Sequence, residues 1–374
     1  MKRSVIGVSV VLALALALGG AGWFYLNYRI GQVTKIKGVK HLVKEKPGQP
    51  INILLVGSDS RAFVGTNSSL VQALGNPSIQ TGQRSDVIII LRLVPATKGL
   101  EMLSIPRDTF VPIAGTTGEN RINAAFNYGP SQLIQTIEQD FHISINHFAY
   151  ADFPGFTDAV QSLGGVYLNF PDRVKDIVTG LNIKKTGCQL VNGQESLQLV
   201  RSRDLQYFAG GQWNYDGLGD LSRIRRQQAF FHAVIDRADS DWNIISLNSF
   251  IENAVKDVAV DSGFSTSELR NLAFEYRGVA SAALHTNVLP TSGAVYNSAD
   301  ILLPVPRLDT PMIRAFLAFG AAKAKKGGPT TSTSSTSSTT TTTTSLAVTG
   351  TTTVPIVDNS KNYPEPWNPV PCSP

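Results

Sequence analysis

Among the charged residues of this chain, three pairs spaced two apart stand at the ends of strand-like or helical runs: Asp59 and Arg61, Arg84 and Asp86, Arg201 and Arg203. In extended chain such residues face the same side, so each pair can aim at one ligand. Arg107 and Asp108 follow an apolar run, Leu100 to Ile105, which Pro106 closes, since proline cannot donate to a strand ladder. Arg121 precedes a short apolar stretch, and Arg223 and Arg226 stand about one turn apart on a helical pattern. Lysine serves equally well on a solvated face, yet arginine occupies every one of positions 84, 107, 121, 201, 203, 223 and 226. Guanidinium is favoured where planar, bidentate recognition of phosphate is needed. The chemistry this set predicts is a clamp on a polyanion. A pyrophosphate fits it; a nucleotide fits less well, because no adenine or ribose motif accompanies the arginines. For any one arginine the competing reading is a surface ion pair.

Asp59 and Asp86 supply the opposite sign at the ends of neighbouring strand-like runs. Mg²⁺ keeps several waters and is usually held by one or two carboxylates plus substrate phosphates. The two aspartates match that need, with Mn²⁺ as an alternative ion. Each could instead cap a turn or pair with Arg61 or Arg84. Gly57-Ser58-Asp59-Ser60-Arg61 is not a P-loop, because the terminal glycine-lysine-serine/threonine is absent. The five histidines (41, 142, 147, 232, 285) lie outside these stretches, and His142 and His147 read as structural residues flanking a strand. Neither a zinc nor a phosphohistidine mechanism is expected.

The elements that must position these residues read as follows. Ile51 to Val56 is a short, branched, apolar run suited to a buried strand. Residues 62–83 form a long polar loop with one helical turn near Leu70 to Leu74, and long loops in compact domains are often lids. Asp86 to Val94 and Leu100 to Ile105 predict a hairpin around Pro95-Ala96-Thr97-Lys98-Gly99. Arg121 to Phe126 predicts a short helix and Gly129-Pro130 opens a firmer one reaching Phe141. A strand over Ile143 to Tyr150 follows, then a helix over Pro154 to Leu163 stopped by Gly164-Gly165, then a strand over Val166 to Phe170. Val191 to Glu195 leads into a short helix through Leu199. Asp220 is placed to cap a helix from Leu221 to Arg237, with Ile224, Phe231 and Ile235 on one face. Helices over 243–257 and 265–276, a last strand at Val288-Leu289-Pro290 and a terminal helix over Pro311 to Phe319 complete the pattern. Strands alternating with helices predict an α/β or α+β sandwich.

Composition bounds the rest. Of 374 residues, 33 are Lys or Arg and 28 are Asp or Glu, and only 16% are charged. That is no polybasic nucleic-acid tail. Lys2 and Arg3 precede an apolar run that continues to Trp23, Phe24 and Tyr25, with no further charge before Arg29. Such a run can span a hydrocarbon core of about 30 Å, and the basic start should stay inside. Residues 1–28 are thus expected to be a single-pass anchor with a cytoplasmic N-terminus, leaving the remainder outside the cell membrane and away from DNA. A cleaved signal peptide is the rival reading, with Gly19-Gly20-Ala21-Gly22 offering small residues for cleavage. Residues 29–50, carrying Lys35, Lys37, Lys40, Lys44 and Lys46, read as a juxtamembrane stalk. Residues 51–320 are the folded domain. Residues 321–374 read as a disordered tail: 330–345 are all Thr and Ser, and the end is proline-rich. Cys188 and Cys372 show no metal-type spacing; outside the cytoplasm they could form one bridge or remain free.

The ordered series resembles a known family. Asn52-Ile53-Leu54-Leu55-Val56-Gly57-Ser58-Asp59-Ser60-Arg61, Gln83-Arg84-Ser85-Asp86, Leu103-Ser104-Ile105-Pro106-Arg107-Asp108 and Arg121-Ile122-Asn123-Ala124-Ala125 look like successive motifs of LytR-CpsA-Psr (LCP) proteins. Asp152-Phe153-Pro154-Gly155-Phe156, Leu163-Gly164-Gly165-Val166, the run from Gly187 to Leu197, Arg201-Ser202-Arg203 and the run from Gly219 to Gln228 continue the match. The resemblance spans residues 51–240 and departs from the family in the long stretch between Arg61 and Gln83.

The resemblance implies a central mixed sheet flanked by helices, with an apolar tunnel for a polyprenyl tail. It implies an enzyme on the outer membrane face that moves a phospho-glycopolymer from a polyprenyl-pyrophosphate carrier to a peptidoglycan hydroxyl, leaving a phosphodiester. By motif position Asp59 and Asp86 would hold Mg²⁺. Arg84, Arg107, Arg201, Arg203, Arg223 and Arg226 would clamp the pyrophosphate, with Arg121 and Gln227 nearby. Either Asp59 or Asp108 would accept the acceptor's proton. A hydrolase of the same carrier and a non-enzymatic envelope regulator are the alternatives.

Overall fold

A computed structural model of the chain describes residues 33–58, 85–240, 258–320, 352–353 and 368–373. The expected anchor, the 62–83 loop, the 243–257 helix and the Thr/Ser run lie outside the described residues, as do Asp59 and Arg84.

The frame is a seven-stranded mixed sheet in the order β1-β14-β7-β2-β3-β4-β15. Its centre is β2 (Ile51–Ser58), parallel to β7 (His147–Asp152) and antiparallel to β3 (Val87–Val94). The predicted hairpin joins β3 to β4 (Gly99–Ser104). β14 (Val258–Asp261) and β15 (Leu284–Val288) flank this core, and β1 (Thr34–Ile36) closes one edge. Helices cover both faces, so β2 and β3 read as near-continuous apolar runs rather than alternating ones.

Leu54, Val56, Ile88, Ile90 and Leu103 pack toward a 3₁₀ segment (Ile122–Tyr128), α1 (Pro130–Phe141) and α6 (Pro306–Ala318). Each such burial contributes about 1.5–3 kcal/mol. The opposite face, with Ile53, Leu55, Ile89 and Ala149, meets Phe231 and Ile235 of α4 (Asp220–Ser240) and Leu269 and Leu272 of α5 (Thr266–Glu275).

A second layer stands over that face. It contains α2 (Phe153–Ser162), α3 (Gly193–Arg201) and α4 beside two small sheets. One sheet orders β11 (Gly187–Val191), β8 (Val166–Phe170) and β19 (Val370–Pro371). The other orders β10 (Leu181–Ile183), β9 (Arg173–Asp176), β12 (Gln206–Ala209) and β13 (Gln212–Tyr215). Two glycines set the spacing. Gly165 turns the chain after α2 at φ +88°, and a Cβ at Gly193 would lie 2.3 Å from Thr157 O, so α3 can approach α2 only without one.

Several boundaries differ from the sequence reading. The lysine-bearing segment is not a free stalk: Thr34–Ile36 pairs with Ala259–Asp261, and Val43 N donates to Ile145 O at 2.8 Å. His147 further pins it, with Nε2 2.7 Å from Glu45 Oε1 and Nδ1 3.0 Å from Asp261 Oδ2. The strand expected from Ile143 begins at His147, because Ile143 and Ile145 dive into the core first. Val288-Leu289-Pro290 only ends β15; a hairpin of β16 (Thr291–Tyr296) and β17 (Ala299–Pro304) follows. Alternation there is weak, and it packs at the rim: Phe110 of the β5–β6 hairpin (Phe110–Pro112, Glu119–Arg121) packs against the Tyr296 ring at a tilt. Pro311 lies inside α6 rather than at its start. The tail is not wholly free either. Thr352–Thr353 (β18) pairs with β16, β19 pairs with β8, and Cys188 is bonded to Cys372.

Candidate functional site

The site forms where β2 ends, β3 begins and β4 has just ended. Asp86 N donates to Gly57 O at 2.8 Å, holding the start of β3 against the end of β2. Pro106 stops β4 and its carbonyl accepts from Thr109 N at 3.0 Å, so Arg107 and Asp108 sit on a tight turn at that sheet end. The predicted strand-end placement of Asp86 and Arg107 is therefore realised. Their side chains form a direct ion pair through Arg107 Nη1 and Asp86 Oδ1.

α4 brings the second half. Asp220 is its first residue rather than its cap, and its carboxylate reaches Arg223 Nη2 at 2.5 Å and Arg203 Nε at 3.6 Å. Arg223 Nη2 also donates to Asp86 O at 3.1 Å. Asp86, Arg107, Arg223, Asp220 and Arg203 are thus one connected network. Burial works against the charge of Arg107, but Asp86, Asp108 and Asp220 outweigh it and hold the guanidinium above its ordinary pKa. For Arg223 burial prevails over Asp220, and with Arg107 and Arg203 nearby its pKa falls below the ordinary value. Among the described residues, Arg223 Nε is buried without a hydrogen-bond partner. An incoming anion would relieve both the cation crowding and that orphaned donor.

These groups border a cavity of about 460 Å³ between the sheet and α2, α3 and α4. Asp86, Arg107, Arg201, Arg203, Arg223 and Gln227 line it, and Leu55, Ile89, Ala149, Phe156, Phe230 and Phe231 supply apolar wall. Arg201 lies over the Phe153 ring at 4.3 Å, and Gln227 Nε2 donates to Val200 O at 3.0 Å, tying α4 to α3. Among the described residues the lining carries four arginines against two aspartates, Asp86 and Asp152. The balance favours an anion with an apolar extension.

Three predicted residues take other places. Arg226 is fully buried: Nη1 pairs with Asp216, Nη2 donates to Ser202 O at 2.6 Å, and it does not line the cavity. Asp108 lies off the wall, 3.6 Å from Arg107 Nε and 3.5 Å from Arg121 Nε. Arg121 turns away, donating to Asp300 O at 2.6 Å. Asp108 therefore orients two arginines, and Arg121 braces the turn against β17.

Two residues were missed. Asp220 was read only as a cap, although its spacing of three from Arg223 on a helix was the available signal. Asp152 ends β7, caps α2 by accepting from Gly155 N at 2.8 Å and lines the cavity. Burial raises its pKa against those backbone hydrogen bonds. Its position in the motif Asp152-Phe153-Pro154-Gly155-Phe156 was visible, but its role was not.

Asp86 has one oxygen engaged by Arg107, while Oδ2 makes no hydrogen bond among the described residues. One free carboxylate oxygen beside a phosphate-type clamp fits the Mg²⁺ pattern of few protein ligands plus phosphate oxygens.

A mixed, helix-covered sheet with an arginine-bordered, apolar-walled cavity at its strand ends defines an α/β protein with an amphipathic pocket. The chain belongs to the LytR_cpsA_psr family, whose model matches residues 27–310. It is 35% identical over 233 residues to a Corynebacterium glutamicum protein named probable cell wall biosynthesis protein LcpB, covering 61% of this chain and 52% of that relative. The chain thus spans about half of that relative's length. A Bacillus subtilis polyisoprenyl-teichoic acid–peptidoglycan teichoic acid transferase, TagV, is 29% identical over 299 residues, covering 76% and 70% of the two chains. The crystal structure of B. subtilis TagV aligns with a TM-score of 0.58 at 28% identity, covering 74% of this chain and 99% of that one. An LCP enzyme from Actinomyces oris shares the fold, with a TM-score of 0.60 at 22% identity, covering 76% and 96%.

Proposed function

We propose that this chain transfers a phospho-glycopolymer from a polyprenyl-pyrophosphate carrier to a hydroxyl of peptidoglycan, on the outer face of the cell membrane. The observation that carries this reading is the cavity's split character: four arginines border it, while leucine, isoleucine and phenylalanine side chains wall the rest. A free nucleotide or sugar phosphate would leave the apolar wall unused. The relatives' names, cell wall biosynthesis and teichoic acid transfer to peptidoglycan, agree with it.

In this chemistry the acceptor oxygen forms a bond to the glycan-side phosphorus. The bond from that phosphorus to the bridging oxygen breaks, and polyprenyl phosphate leaves. Arg107 and Arg223, joined through Asp86, are placed to stabilise charge on the transferring and leaving oxygens, the usual main contribution in phosphoryl chemistry. Arg201 and Arg203, at the end of α3, hold the pyrophosphate from the other side, and Gln227 braces α3 through Val200. Mg²⁺ on Asp86 and Asp59, when bound, would neutralise phosphate charge; Mn²⁺ suits the same ligands. Asp59 is the base this reading assigns to the acceptor hydroxyl, since Asp108 serves the arginines.

The test is reconstituted full chain with a polyprenyl-pyrophosphate-linked glycan, peptidoglycan oligomers and Mg²⁺. Covalent glycan on peptidoglycan is the expected product. Release of free phosphorylated glycan alone would instead make the protein a hydrolase of the same carrier. Absence of any turnover, with binding retained, would leave only a regulator.

A further inference from the structure

At the tip of the β9–β10 hairpin two adjacent aliphatic residues stand in solvent: Ile177 is 83% exposed and Val178 79%. Large aliphatic side chains this exposed, side by side, mark interaction surfaces more often than chance surface scatter. The tip is held firmly. Asp176, itself 1% exposed, accepts from Val178 N at 2.8 Å, Thr179 N at 3.1 Å and Asp204 N at 3.2 Å, and from the Ser202 hydroxyl. Ser202 and Asp204 interleave with Arg201 and Arg203. One buried carboxylate therefore fastens the apolar tip to the loop carrying two clamp arginines. Val178 and Thr179 are also part of the cavity lining.

The surroundings match an anionic lipid surface. Tyr215 (65% exposed) and Trp213 (39%) lie on the same sheet, and the Lys175 ammonium sits 4.1 Å over the Trp213 ring. Arg173 lies 4.2 Å over Phe208. Amphipathic aromatics with basic neighbours and protruding aliphatics are the composition of a bilayer-interface contact. The strand register gives the orientation. Thr34, Ala259, Tyr150 and Val56 form one row, and β1 runs antiparallel to β2. The chain leaving the N-terminal apolar run therefore enters the sheet at the end where β2 finishes and the cavity lies.

We propose that the Ile177–Val178 tip inserts into the outer leaflet of an anionic bilayer and forms the lip over which a lipid-linked donor enters the cavity. This deepens the transferase reading and rests on it for the donor, but not for the bilayer contact itself.

The test places full chain in vesicles of phosphatidylglycerol and phosphatidylcholine with brominated acyl chains. Val178→Trp should add fluorescence that brominated lipid quenches, beyond that of the unsubstituted chain. Independently, Ile177→Ser, at a side chain outside the cavity lining, should lower apparent kcat/KM for a vesicle-embedded long-chain donor by about tenfold or more. It should leave turnover of a short-chain, detergent-dispersed donor unchanged. Chain absent from the vesicle fraction, or an unquenched added signal, overturns the lip and hands the tip to a protein or wall-glycan contact. Quenching with no transfer in any format keeps the lip and sinks the transferase reading. Equal activity of both chains on both donors removes the lip's role in donor entry.

Discussion

At the residue scale, seven arginines of one type divide into different jobs. Arg107 faces the cavity with its charge reinforced by Asp86, Asp108 and Asp220. Replacing it by alanine is expected to lower transfer about 10²- to 10³-fold, the usual cost of one transition-state donor, with the unfolding midpoint little changed. Unaltered turnover of Arg107→Ala would remove it from the clamp. Arg226 is the contrast. Its guanidinium and the Asp216 carboxylate are 0% and 1% exposed. Arg226→Ala strands a buried carboxylate, which typically costs about 3–5 kcal/mol. Urea unfolding should show that loss. A variant of native stability but no activity would return Arg226 to the ligand. Sequence alone could not separate the two, because both are arginines in the same motif series; only the partner's position decides it.

At the element scale, the β3–β4 hairpin carries both the site and a titrating group. Glu101 on β4 is buried, with Oε1 accepting from Asn287 Nδ2 at 3.0 Å and Oε2 without a hydrogen-bond partner among the described residues. Burial pushes its carboxyl up to about 7 from an ordinary 4.5, against the pull of Arg92 and Asn287. The folded chain thus holds a proton that the unfolded chain has released. Stability from this group is greatest below pH 4.5, falls as pH rises toward 7 and then levels off. The slope can reach about 1.4 kcal/mol per pH unit for one group. Asp309 on α6, raised by burial to about 7, acts in the same direction. Denaturation measured from pH 5 to 8 should show this decline, and Glu101→Gln should flatten it. An unchanged pH profile in that variant would mean Glu101 is ionised in the fold. The hairpin, α1, α2 and the strand after Gly164-Gly165 were legible because local periodicity and punctuation agree there. β1 and the β16–β17 hairpin were not: three residues of strand or weak alternation carry too little local signal, and their pairing partners lie elsewhere in the chain.

At the scale of the whole molecule, the C-terminus closes the structure. Cys188 and Cys372 are 184 residues apart and bonded, and β19 extends β8 beside the bridge. Removing such a crosslink typically costs about 2–5 kcal/mol, chiefly by freeing the unfolded chain. Cys372→Ser should therefore unfold at lower denaturant and expose residues 368–373 to protease first. Equal midpoints for the two chains would show that the bridge adds nothing. A bridge of this kind belongs outside the cytoplasm, in keeping with the placement proposed for the site.

By itself the sequence determined the family, the order of its motifs and the arginine-rich residue set of the candidate site, because those depend on residue types and local spacing. It left the cysteine pairing open, and the lysine-rich segment read as a stalk. Tertiary structure decided that Arg107, Arg201, Arg203 and Arg223 meet at one cavity while Arg226 and Arg121 brace its walls. It also decided that Asp220 joins the network and that Thr34–Ile36 and Val370–Pro371 are pinned to the body. Those outcomes rest on contacts between residues dozens to hundreds of positions apart. A residue's type fixes what it can bind, but only the packing around it fixes which partner it meets.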